Sequence, residues 1–127
     1  MVISAFVFGG VPATAVRKVL AEASVYVSPE LLKEYREVPL TLEEEDKINH
    51  RQLKTLISGI AAFVAVAKTV YPVRKFMLCR DEADNMLLEC CFAAKTDYLV
   101  TGDKDLLDMG VLPFDLRILR PRDYLAL

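Results

Sequence analysis

The sequence predicts an α/β domain with a parallel sheet covered by helices on both faces. Three observations carry that expectation. Short runs rich in β-branched and aromatic residues at 25–27, 97–100 and 116–119 alternate with longer stretches of helical character, the pattern of parallel strands joined by helical crossovers. Helix-start chemistry recurs at the junctions, where Ser28-Pro29, Asp81 and Asp103 each precede a helical stretch. Of the 127 residues, 54% are apolar, so one chain of this length can build one core and one domain over residues 1–127.

Taken in order, "MVISAFVF" (1–8) reads as the first strand. Gly9-Gly10 then reads as a turn rather than a phosphate loop, because no Gly-Lys-Ser/Thr follows. A helix is expected from about Pro12 to Ala23, with Pro12 at a tolerated first-turn position. "VYV" (25–27) is a short strand, and Ser28, Pro29 and Glu30 supply the cap, first position and first-turn acid of the next helix. On that helix Leu31, Leu32, Tyr35 and Val38 form the apolar face, with Glu34 at its border.

Thr41 and Glu44 have capping-box spacing, which predicts a helix from near Leu42 to about Ser58, broken at Gly59, and another over about Ile60 to Ala67. "TVYPV" (69–73) is consistent with a strand or an extended connection. The stretch from Asp81 to about Lys95 is apolar on most sides and should be buried on more than one. "DYLV" (97–100) is a strand, a short helix follows Asp103, "LRIL" (116–119) is the last strand, and Pro121 leads a terminal helical turn.

Several function classes are disfavoured. No segment reaches the roughly 18 apolar residues of a membrane span, and the apolar start lacks the basic flank and cleavage site of a secretory signal. Cys79, Cys90 and Cys91 are odd in number and lack CxxC spacing, so they read as reduced, largely buried thiols of a cytoplasmic protein. A net charge of −2 argues against coating a duplex, though not against holding nucleic acid through a metal. His50 is the one histidine and lies in the polar "DKINHRQ", a solvated helix position; without a second histidine, Ser–His chemistry has little support.

The acids carry the chemistry. In parallel sheets ligands bind beyond the carboxyl ends of the strands, where "TGDKD" places Asp103 and Asp105. Asp84 begins the helix before that strand, so a normal crossover puts it at the same end of the sheet. Glu34 adds a third group. Each acid also has a local reading: Asp103 as a cap, Asp105 as a first-turn acid on the helix dipole, Asp81 with Asp84 as a cap pair, and Glu34 as an ordinary border acid. Converging carboxylates repel one another, and a hard divalent cation relieves that repulsion. Arg74, Lys75, Arg80 and Lys104 flank the region and have the chemistry to meet phosphates.

At these residues, "SPELLKEYREV", "RDEADNMLLECCFAAKTDYLVTGDKDLL" and "RILRPRDYL", the chain resembles PIN domains, most closely the prokaryotic branch of toxins from toxin–antitoxin pairs. The resemblance implies a three-layer α/β/α sandwich with a central, mostly parallel sheet of four to five strands. It implies a Mg²⁺- or Mn²⁺-dependent ribonuclease, an RNA substrate, an antitoxin partner and a homodimer. By resemblance Glu34, Asp84 and Asp103 correspond to metal-site acids, Asp105 is a frequent catalytic extra, and Thr101 and Asn85 match positions near the metal. Family members usually carry Asp-Thr-Asn in the first strand, and "MVISAFVFGG" resembles the remainder of that motif, so the first strand is expected to be truncated and the first acid absent. That departure implies the alternative of a degenerate PIN domain that binds or dimerises without cutting. A haloacid dehalogenase-like phosphatase is a further alternative suggested by "TGDKD", but its Asp-x-Asp after the first strand is missing.

Overall fold

The computed structural model describes residues 10–127. Its elements are α1 (Gly10–Glu22), β1 (Tyr26–Val27), α2 (Pro29–Glu44), α3 (His50–Val66), β2 (Lys68–Thr69), α4 (Glu82–Ala94), β3 (Tyr98–Val100), α5 (Lys104–Leu107), β4 (Arg117–Leu119) and α6 (Pro121–Leu125). The strands pair in parallel, β1 with β2 through Tyr26 opposite Lys68, and β3 with β4 through Leu99 opposite Ile118.

The α/β class and the parallel direction agree with expectation. Among the described residues, however, the strands form two separate two-stranded ladders rather than a sheet of four to five strands. Ser28 caps α2 immediately after Val27, its hydroxyl accepting from Leu31 N–H at 3.3 Å, which ends β1 there. The expected first strand at 1–8, and with it the truncated motif and absent acid, lies outside the described residues.

Among the described residues, two apolar clusters organise the fold. The first joins Val16, Val27, Ile48, Leu53, Leu56, Ile60 and Phe63. The second is built on Phe76, Leu88 and Leu106, with Phe92 and Phe114 stacked or edge-on to Phe76 at centroid distances of 5.6 and 5.4 Å. At the rim of the fold α1 packs on α6, where Lys18 Nζ donates to the carbonyls of Tyr124 (3.1 Å) and Leu127 (3.3 Å). A lysine there satisfies carbonyls that the end of a helix leaves open.

The central helices correct the expected boundaries. Thr41 does not cap a helix: its hydroxyl donates back to the Glu37 carbonyl at 3.2 Å, and α2 runs on through the buried Pro39 to Glu44. The capping box belongs to Asn49 and Gln52. Gln52 N–H donates to Asn49 Oδ1 at 2.8 Å, and Asn49 N–H donates to Gln52 Oε1 at 2.9 Å. Nor does Gly59 break α3. Leu53, Leu56, Ile60 and Phe63 form one buried stripe across it, and their burial outweighs the ~1 kcal/mol that an interior glycine costs. Asn49→Ala should therefore cost about 1 kcal/mol, read as a melting midpoint lowered by about 3–5 °C.

"TVYPV" contributes only Thr69 to a strand, and residues 70–80 form an irregular strap leading into α4. As expected, α4 is buried on several sides, but its buried residues include Asp84, Asn85 and Glu89 beside Leu88, Cys90 and Cys91.

Candidate functional site

The site is built where α4 starts and where β3 ends. Asp81 caps α4 by accepting from Ala83 N–H at 2.9 Å. Asp84 follows within the first turn and is only 6% exposed. Nearby cations are engaged elsewhere: Arg80 reaches Asp105 at 3.1 Å, and Lys75 reaches Glu30 and Glu89 at 3.8 and 3.6 Å. Burial, followed by the charges of Asp103, Asp81, Asp105 and Glu34, pushes the Asp84 carboxyl up to about 6. Glu34 is also raised, by burial first and then by Asp81 and Glu37. Cys79, raised by burial and then by Asp84, Asp103, Asp105 and Asp81, lies against the same cluster.

The structure thus brings Glu34, Asp84, Asp103 and Asp105 into one electrostatic neighbourhood. Among the described residues, no three His, Cys, Asp or Glu side chains are drawn together closely enough to hold one metal ion. Local duties explain part of this looseness. Asp103 caps α5, its Oδ1 accepting from Asp105 N–H at 2.9 Å. Asp105 is held by Arg80 through both oxygens, at 3.3 and 3.1 Å.

Thr101 and Asn85 take positions that shape the site. Thr101 is buried, and its hydroxyl accepts from Asp103 N–H at 3.1 Å, fixing the turn from β3 into α5. Asn85 Oδ1 accepts from Leu78 N–H (3.1 Å) and Cys79 N–H (2.9 Å), while its Nδ2 donates to the Cys79 carbonyl at 3.3 Å. Three bonds from one buried amide fix the strap just before Arg80 and Asp81.

Sequence reasoning missed Glu89. It is 3% exposed, and Phe76 N–H donates to its Oε2 at 2.9 Å. The signal was present: an acid inside the apolar run from Met86 to Ala94 is an unusual buried charge. Asp81 was read only as a cap, yet it also belongs to the acid cluster. His50 is exposed and 3.3 Å from Glu43, as a solvated helix residue should be. The cysteines are free, with Cys90 and Cys91 buried and Cys79 half-buried.

The family model described as PIN domain matches residues 1–105. The chain belongs to the PIN domain family. The family is of nuclease type and typically depends on a divalent metal. The chain is also similar to an uncharacterized protein of Methanocaldococcus jannaschii, at 32% identity over 103 residues covering 79% of this chain and 63% of that protein. It therefore spans less than two thirds of that relative's length. No solved structure matches the chain. Among the described residues, no helix is long and apolar enough to cross a membrane.

The donor set fits a hard divalent cation by its chemistry. It consists of carboxylate oxygens, which Mg²⁺ and Mn²⁺ prefer. Asp84 is a buried carboxyl whose neighbours make its ionisation costly, a cost that a nearby cation removes.

Proposed function

We propose that this PIN domain is a divalent-metal-dependent ribonuclease, the toxin of a toxin–antitoxin pair, with Glu34, Asp84 and Asp103 holding Mg²⁺ or Mn²⁺. The observation that carries this reading is the burial of Asp84 among acids: it is only 6% exposed, and burial first, then the charges of Asp103, Asp81, Asp105 and Glu34, push its carboxyl up to about 6. A structural carboxylate is normally paired with a cation or with several N–H donors. The charges that act on this one are those of other acids, Asp103, Asp81, Asp105 and Glu34.

When bound, the cation would supply a water that ionises near neutral pH and would offset the charge of the phosphate under attack. The protein's own residues arrange the rest. Thr101 fixes the main chain that presents Asp103, and the Asp81 cap sets the first turn that presents Asp84. Below about 6 Asp84 holds a proton that it would have to give up in order to ligate, so metal binding should weaken as pH falls through about 6. The toxin role, the antitoxin and a homodimer are supported by the sequence resemblance.

A non-catalytic PIN domain is the second reading. It is favoured by the loose spacing of the acids among the described residues. One experiment separates the two: Mn²⁺-dependent cleavage of a single-stranded RNA by the 127-residue chain, run beside Asp103→Asn. The ribonuclease reading expects cleavage that falls on the order of 100-fold or more in the variant, the scale for removing one group that stabilises transition-state charge. Mn²⁺-dependent binding without any cutting would instead support the non-catalytic reading.

A further inference from the structure

We propose that Arg80 is a phosphate-binding residue of the RNA track, carried to the cleft by a clamped strap and parked on Asp105 until RNA displaces it. The inference rests on the RNA-directed reading of the acid cleft and adds a residue, a ligand group and a resting state to it.

Residues 70–80 form no helix, and among the described residues their main-chain pairing is the one that leaves β2, from Val70 N–H to the Val27 carbonyl. Their position is set by two buried side chains one helical turn apart on α4. Glu89 accepts from Phe76 N–H, and Asn85 binds Leu78 and Cys79 by three hydrogen bonds. Phe76 is itself buried between Phe92 and Phe114. A strap held at both main chain and side chain ends on Arg80, directly before the Asp81 cap.

The basic residues along this strap differ in what they do. Arg74 lies over the rings of Phe76 and Phe92 at 5.0 and 5.2 Å. Lys75 is drawn to Glu30 and Glu89. Arg80 is 89% exposed at its side chain, and among the described residues its ion pair is to Asp105, whose side chain is 62% exposed. Exposed pairs are weak, while a guanidinium binds a phosphate with two parallel N–H donors. An incoming phosphate can therefore take Arg80 from Asp105 at little cost. On this assignment Asp105 holds the arginine in place and does not hold the metal.

The test measures affinity for a labelled single-stranded RNA in EDTA, which stops metal-dependent cutting. Arg80→Ala should weaken binding about five- to tenfold near 0.1 M salt and reduce the salt slope by about one. Asp105→Asn should tighten binding by about two- to fivefold, the scale of an exposed ion pair. It should have no effect in an Arg80→Ala background. Asp108→Asn, which removes an exposed charge at the end of α5, is the control for net charge alone. Both Arg80 and Asp105 are exposed, so each variant should keep the native melting midpoint.

Equal tightening by Asp105→Asn with and without Arg80 would overturn the proposal, as would unchanged affinity in Arg80→Ala or no RNA binding at all. Loss of Mn²⁺ binding in Asp105→Asn would also overturn it, because Asp105 would then be a ligand. If the affinity pattern holds but Mn²⁺ induces no cutting, the ribonuclease reading fails and the Arg80 assignment stands.

Discussion

Asp84→Asn should stabilise the metal-free chain at pH 7 and abolish its Mn²⁺-dependent cleavage of RNA. The two effects share a cause. Burial and the neighbouring carboxylates raise Asp84 to about 6 from an ordinary 3.8. A carboxyl raised by folding binds its proton more tightly in the folded chain than in the unfolded one. Its protonation therefore favours the fold below the ordinary value. That benefit is lost as pH climbs through about 6, and at pH 7 the folded chain bears the whole cost of the charge. Asparagine keeps the shape and removes the charge. Allowing for screening by water at the cleft, the gain should be about 1–2 kcal/mol, or about 3–8 °C in the melting midpoint. The gain should shrink toward pH 4, where the native carboxyl is protonated. Mn²⁺ at about 100 times its dissociation constant should stabilise the native chain by about 2.7 kcal/mol and leave the variant unmoved. An Asp84→Asn protein that melts lower than the native chain and still responds to Mn²⁺ would remove Asp84 from the site.

The largest structural loss is expected from Leu88→Ala. Leu88 is fully buried between Phe76 and Leu106, one turn along α4 from Asp84. Truncation removes three carbon atoms from a place where aromatic rings leave little freedom to collapse. The cost should be about 2–5 kcal/mol, a large share of the stability of a domain this size. In urea the midpoint should move while the slope stays constant, since the surface exposed on unfolding hardly changes. Leu88→Met should cost less than about 1.5 kcal/mol. If both substitutions cost the same, the loss would not arise from a cavity, because methionine nearly conserves the volume of leucine.

Much of the site was legible because its cues are local. Ser28, Asp81 and Asp103 cap the helices that follow them, and a cap needs only a short polar side chain and the next two or three N–H groups. The shared sheet end expected for Asp84 and Asp103 followed from the usual form of a parallel crossover, whereas Glu34 was singled out as a border acid of its helix and by the family resemblance. What failed depended on tertiary context. Thr41 and Glu44 have the spacing of a capping box, but Thr41 lies inside a helix that burial of Pro39 and Leu31 carries onward. Gly59 reads as a break only if the stripe from Leu53 to Phe63 is ignored. Glu89 was hidden among apolar neighbours because its partner is a main-chain N–H thirteen residues away. The pairing of Arg80 with Asp105 crosses twenty-five residues, and no local pattern announces it.

The bridging position of α4 bears on how the molecule opens. One side of α4 packs against β1 and α2, and Leu88 anchors the second apolar cluster. Among the described residues, the β3–β4 ladder joins residues nineteen apart through three residue pairs, whereas β1–β2 joins residues forty-two apart through two. Closing the longer loop costs somewhat more chain entropy and is repaid by fewer bonds. Amide hydrogens of β1 and β2 should therefore exchange through a partial opening, while those at the centre of α4 should wait for global unfolding. Asp84 rides on that helix, so its side of the acid cleft should outlast the excursions that open β1 and β2.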